Sequence, residues 1–178
     1  AEMLLFSPSF TAIKVPEGGK FRLRESIANG NPTLVLFYAA WSRPAVEAVI
    51  DLAAIVSSER RKGRIGTDSV NYIVVNIEGK VEQAERAHEL LLAGKKLPKG
   101  CKVVHAVLNT QALPHEFGVK YVPHKVYIDK RARVKASTFG GFDEEVDIAL
   151  LNAMCVEKDT FLCEDCAELG KSFCGAWL

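Results

Sequence analysis

Two apolar runs constrain this chain more than any other feature: "PTLVLFY" (Pro32 to Tyr38) and "NYIVVNI" (Asn71 to Ile77). Each is a nearly continuous stretch of β-branched, aliphatic and aromatic residues. Each is too short for a buried helix and lacks the polar alternation of a half-exposed strand. Strands buried on both faces read this way, and parallel sheets covered by helices on each side are where such strands occur. Between the two runs, Val46, Val49, Ile50, Ala53, Ile55 and Val56 recur at helical spacing from Pro44 to Ser58. Strand, helix, strand is the unit from which a parallel sheet is built.

The remaining segments extend this pattern. Thr11 to Arg24 holds short mixed runs broken by Pro16-Glu17-Gly18-Gly19, a hairpin signature, and Leu23 to Asn29 reads as a short helix ending at Gly30. Val81 to Ala93 is rich in Ala, Glu, Gln and Leu and is stopped by Gly94 and Pro98, which predicts a helix. Lys102 to Leu108 ("KVVHAVL") predicts a third strand, and Gln111 to Phe117 a short helix closed by Gly118. "HKVYID" and "RVKAST" predict two further strands around Lys130-Arg131, and Asp143 to Cys155 an amphipathic helix. Helices alternating with strands and then an antiparallel pair imply an α/β fold with a mixed central sheet.

The bulk numbers exclude some function classes. Residues 1–155 are read as one domain with a core from about 21 to 154, and 156–178 as a cysteine-rich extension. At 178 residues, 48% apolar and 25% charged, the chain has the length and composition of a globular domain with a proper core. A net charge of +1 gives no electrostatic reason to expect nucleic acid or an anionic membrane as partner. The cluster Arg60-Arg61-Lys62 with Arg64 is short enough to be a solvated loop. The start "AEMLLFSPSF" lacks a basic region and a long apolar core, so no secretory leader is expected there. With an odd count of five cysteines, reduced thiols and a cytoplasmic location are the expectation.

In order and spacing, "PTLVLFYAAWSRPA", "NYIVVNIEG" and "EFGVKYVPHKVYIDKRARVKASTFGG" resemble the thioredoxin fold over about Phe21 to Met154. The helix and strand inserted between Ile77 and Gln111 resemble the nucleoredoxin and TlpA branch. The resemblance implies a three-layer α/β/α sandwich and a cis-proline at Val122-Pro123. It also implies a peptide-binding groove lined by Trp41, Arg43, Pro44, Val122, Pro123 and His124. In that family a Trp-Cys-x-Pro-Cys turn carries the nucleophilic and resolving thiols. Here Ser42 and Ala45 occupy those two positions. The buried Asp and Lys of thioredoxins proper, which the TlpA branch often lacks, fall on Leu36 and Val74.

The substitutions remove the chemistry of the turn. Disulfide exchange needs a thiolate, favoured at a helix N-terminus, and a second thiol to resolve the mixed disulfide. A serine hydroxyl does not ionise there and an alanine offers nothing; Ser42 is expected to cap the helix, with Pro44 in its first turn. The expectation is therefore a binding or scaffold domain with a protein or peptide partner, acting without a cofactor. The alternative is a thiol–disulfide oxidoreductase whose cysteines at 42 and 45 have been substituted, or which uses Cys163 and Cys166 instead.

Cys155, Cys163, Cys166 and Cys174 are spaced C-x7-C-x2-C-x7-C. Three readings stand beside one another: a structural zinc site built on the C-x2-C knuckle, a relocated dithiol at Cys163/Cys166, and a terminal helix with cysteine as a small hydrophobe. Among the histidines, only His124, beside Pro123, is placed for function.

Overall fold

The computed structural model describes residues 8–61, 70–92, 102–108 and 113–156. In chain order the elements are β1 (Thr11–Lys14), β2 (Lys20–Arg22), α1 (Leu23–Ile27), β3 (Thr33–Tyr38), α2 (Arg43–Arg61) and β4 (Asn71–Asn76). They continue with α3 (Val81–Leu92), β5 (Lys102–Leu108), a 3-10 turn (His115–Phe117), β6 (His124–Ile128), β7 (Val134–Phe139) and α4 (Glu144–Val156). The seven strands form one sheet in the order β2-β1-β5-β4-β3-β6-β7. The two apolar runs are β3 and β4, side by side and parallel at its centre. β5 continues the parallel part on one side, while β6 and β7 return antiparallel on the other. The mixed α/β sheet expected from the sequence is present.

Every residue of β3 and β4 is buried. The alternation of strand side chains sorts them into two cores. Leu34, Leu36, Tyr38, Tyr72, Val74 and Tyr127 share one face with Ala45, Val49, Leu52 and Val56 of α2 and Leu151 and Met154 of α4. Val35, Phe37, Ile73, Val75, Val126 and Ile128 share the other with Phe21, Leu23 and Ile27, and with Phe117 of the 3-10 turn. Each large side chain removed from water contributes about 1.5–3 kcal/mol, so the paired cores account for why this segment order is stable.

Two boundaries differ from the sequence reading. The helix expected over Gln111 to Phe117 is, within the described residues, a single 3-10 turn, His115–Phe117. Pro114 at its start provides no N–H, and Gly118, in the left-handed region at φ 71°, closes it by donating to His115 O at 2.8 Å. Helix α2 runs to Arg61, three residues beyond Ser58. Among the described residues no helix is long and apolar enough to cross a membrane.

Candidate functional site

Register brings three connections to one end of the sheet. Phe37 on β3 lies opposite His124 on β6, and His124 opposite Phe139 on β7. Within two positions of these residues, Tyr38 gives way to the turn that leads into α2, the Val122-Pro123 segment precedes β6, and Gly140 follows β7. The Val122–Pro123 peptide bond is cis. Pro123 O accepts from Gly140 N–H at 2.9 Å, which fixes the segment to the end of β7. Val122 is half-buried, and its N–H and C=O have no hydrogen-bond partner among the described residues.

The turn before α2 is tightly held. Ser42 N–H donates to Ala39 O at 3.1 Å, and Ser42 O accepts from Ala45 N–H and Val46 N–H, both at 3.0 Å. Ser42 is thus the capping residue by position, but its hydroxyl makes no hydrogen bond among the described residues. The side-chain cap expected there is not formed, because Pro44 has no N–H and Ala45 N–H is already taken by the Ser42 carbonyl. Ala45 is fully buried in the α2 core. Arg43 Nε pairs with Glu47 Oε1 at 2.8 Å on the surface, an exposed pair of little energetic weight.

A carboxylate holds this turn from the other side. Glu78 Oε2 accepts from Ala40 N–H at 2.6 Å and from Asn76 Nδ2 at 3.0 Å. In the amide orientation that satisfies both partners, Gln83 Nε2 donates to Glu78 Oε1 at 2.7 Å. Sequence reasoning passed over Glu78, although an acidic residue just past a buried strand needs donors.

Three aromatic side chains near this end of the sheet are exposed. Trp41 is 74% exposed, Tyr121 69% and Phe139 64%. The Tyr121 and Phe139 rings stack edge to face, 5.8 Å apart and inclined at 62°. Tyr121 and Phe139 were not singled out from the sequence; single exposed aromatics carry no sequence signal, and only the β6–β7 pairing makes them neighbours.

His124 stands elsewhere than the sequence placed it. It is buried, facing the core that contains Phe37, and its Nε2 is 2.7 Å from Ser137 Oγ. Ser137 Oγ donates to Phe117 O at 2.6 Å, so it accepts the His124 Nε2 proton and assigns the neutral tautomer. Burial holds the His124 pKa below the ordinary 6.5. The side chain braces the 3-10 turn against β6 and does not line the surface.

Beneath the turn, Leu36 and Val74 are both buried and directly paired. Their row of the sheet carries titratable groups one strand further out on each side: His105 opposite Val74, Lys125 opposite Leu36. Tyr38 Oη and His105 Nε2 are 2.6 Å apart, and burial pushes the Tyr38 phenol well above its usual range. Lys125 Nζ donates to Asp147 Oδ2 at 2.6 Å and to Gly141 O at 2.7 Å, and Tyr127 Oη donates to Asp147 Oδ1. Lys125 and Asp147 side chains are each 6% exposed. Lys125 also lies 4.9 Å over the Phe142 ring.

Of the four tail cysteines, Cys155 is buried in the α4 core, and its carbonyl accepts from Lys130 Nζ at 2.9 Å. Cys163, Cys166 and Cys174 lie outside the described residues. Among the described residues no group of three or more His, Cys, Asp or Glu is placed to hold a metal.

Comparison with known proteins fits this geometry. No family model matches the chain. It is 21% identical over 136 residues to the thioredoxin-like protein HCF164, chloroplastic, of Arabidopsis thaliana, a match taking in 76% of this chain and 39% of that one. The chain thus spans about two fifths of the length of that curated relative. A thiol-disulfide isomerase from Corynebacterium glutamicum superposes with a TM-score of 0.61 at 16% identity, covering 89% of this chain and 100% of that one. The exposed lipoprotein thioredoxin Etrx1 of Streptococcus pneumoniae gives 0.56 at 22%, covering 81% and 98%. The fold is thioredoxin-like.

Proposed function

From a thioredoxin-like fold whose turn carries no thiol, we propose that this chain is a binding domain for an extended polypeptide. It works at the surface carrying Trp41, Tyr121, Val122 and Phe139, without dithiol exchange at residues 42 and 45. The observation that supports it most is Val122, whose main-chain N–H and C=O have no partner among the described residues and stand beside Pro123 at the end of the sheet. A strand laid against Val122 gains two main-chain hydrogen bonds, the strand-addition mode of peptide recognition. The exposed rings at this end of the sheet provide apolar contact, with low ordering cost because aromatic side chains have few torsions. Arg43 and Pro44 border the same turn. The partner is a protein or peptide, not nucleic acid or a membrane.

Exchange at the turn lacks both of its reactants. The Ser42 hydroxyl is not a thiolate, and the Ala45 methyl is sealed in the core. A second reading, thiol–disulfide oxidoreductase, draws on the activity named for the solved structures the chain resembles. It places the reaction on Cys163 and Cys166, or on cysteines at 42 and 45 that have been replaced. Insulin reduction by the full chain in the presence of dithiothreitol separates the two. The binding reading expects no rate above the dithiothreitol background. A rate that disappears in the Cys163→Ser, Cys166→Ser variant establishes exchange in the tail and overturns it. The binding reading requires no cofactor; a structural zinc on Cys155, Cys163, Cys166 and Cys174 is decided by metal analysis of the purified chain, one zinc per chain supporting it.

A further inference from the structure

We propose that Glu78 is a positioning residue for peptide binding: its carboxylate fixes the turn that presents Trp41. The inference rests on the peptide-binding reading and names the residue that keeps its exposed ring in place. Trp41 is 74% exposed, so packing does little to locate the ring, and its place follows from the backbone that carries it. That backbone is a four-residue turn, closed by Ser42 N–H donating to Ala39 O at 3.1 Å. Ala40 and Trp41 are its central residues. The Ala40 side chain is a methyl group and anchors little. The anchor is its N–H, which donates to Glu78 Oε2 at 2.6 Å.

The carboxylate is itself held. Asn76, fully buried, donates to Glu78 Oε2 at 3.0 Å and accepts from Glu78 N–H at 2.8 Å. Gln83, in the first turn of α3, donates to Glu78 Oε1 at 2.7 Å. Ile77 N–H donates to Tyr38 O at 3.0 Å, which carries the β3–β4 pairing up to the turn. The end of β4, the start of α3 and the turn before α2 thus meet at one side chain. Hydrogen bonds to an ionised acceptor are the stronger kind. A surface already held in its bound arrangement binds at lower ordering cost. Without the carboxylate, Ala40 N–H turns to water and Trp41 loses its fixed place.

Amide shifts of the 15N-labelled full chain, titrated with the capped peptide Gly-Phe-Val-Asp-Val-Phe-Gly, test this across a set of variants and show that each is folded. Glu78→Ala is expected to weaken binding about tenfold and to move the Ala40 amide proton upfield as its hydrogen bond is lost. Glu78→Gln keeps an oxygen for Ala40 and Asn76, and the Gln83 amide can turn to accept from the new N–H. It is expected to bind within about twofold of the unmodified chain. Gln83→Ala keeps the Ala40 bond, serves where Glu78→Ala does not fold, and should weaken binding about threefold. In a Trp41→Ala background, Glu78→Ala should add no more than about twofold, because it acts through the ring it positions. Unchanged affinity in Glu78→Ala, or in Gln83→Ala where the former does not fold, overturns the role of Glu78 and leaves the groove in place. So does a loss that persists in full without Trp41, or a Glu78→Gln variant as weak as Glu78→Ala. No shift on adding millimolar peptide to the unmodified chain overturns the groove, and this role with it.

Discussion

His124 shows how a residue can be found in the sequence and its role missed. Its position beside Pro123 was legible, but the direction of its side chain was not. Alternation along β6 sends His124, Val126 and Ile128 to one core and Lys125 and Tyr127 to the other, and which face each set takes is decided by the sheet as a whole. The buried neutral imidazole has a measurable consequence. Its folded pKa is lowered, so the unfolded chain takes up a proton at a pH where the native one does not. The stabilisation is complete above the unfolded value of about 6.5 and is lost as pH falls through the lower folded value. Chemical denaturation from pH 8 to 5 should therefore show a loss of stability below about 6.5 that is flattened in His124→Gln. The tyrosines respond at the other extreme. Tyr38 and Tyr127 are raised, chiefly by burial, and should stay protonated in the native chain. At alkaline pH the phenolate absorbance of these two rings should appear only when the chain unfolds.

At the scale of elements, the buried runs β3 and β4 were readable because burial on both faces leaves no other composition open to them. The link between β6 and α4 was not. Lys125 sits in an apolar strand context, "HKVYI", and a buried lysine requires a partner, yet nothing local identifies Asp147, 22 residues further on. Asp147 accepts from Lys125, Tyr127 and the Asp143 N–H, tying the first turn of α4 to the sheet. Asp147→Ala leaves the Lys125 charge buried and unpaired and should cost about 3–5 kcal/mol in denaturant unfolding. The double variant Lys125→Met, Asp147→Leu should recover most of that loss, since well-packed apolar replacements of buried ion pairs are often neutral. Asp143 is the N-cap of α4, its Oδ1 accepting from Glu145 N–H and Val146 N–H, both at 3.0 Å. Asp143→Ala should cost about 1 kcal/mol in the same assay.

At the scale of the whole molecule, strand and helix order pointed to a mixed α/β sheet, and the resemblance of the segments around Trp41, Asn76 and Pro123 pointed to the thioredoxin-like fold. That Ser42 and Ala45 stand where the family carries its two thiols was legible in the sequence. What the sequence concealed is the surface left behind. Tyr121 and Phe139 are 18 positions apart and become one aromatic ledge only through the β6–β7 pairing. The Ser42 hydroxyl, which reads as a helix cap, is left open because proline follows two residues later. The central claim is that an extended peptide binds across Trp41, Val122 and this ledge. Trp41 fluorescence tests it most directly, in a Trp177→Phe background so that a single tryptophan reports. Titration with the capped peptide Gly-Phe-Val-Asp-Val-Phe-Gly is predicted to give a saturable blue shift as the ring leaves water, weakened about tenfold or more in Tyr121→Ala, Phe139→Ala. An unchanged Trp41 spectrum at millimolar peptide, or a shift that survives removal of both rings undiminished, contradicts it.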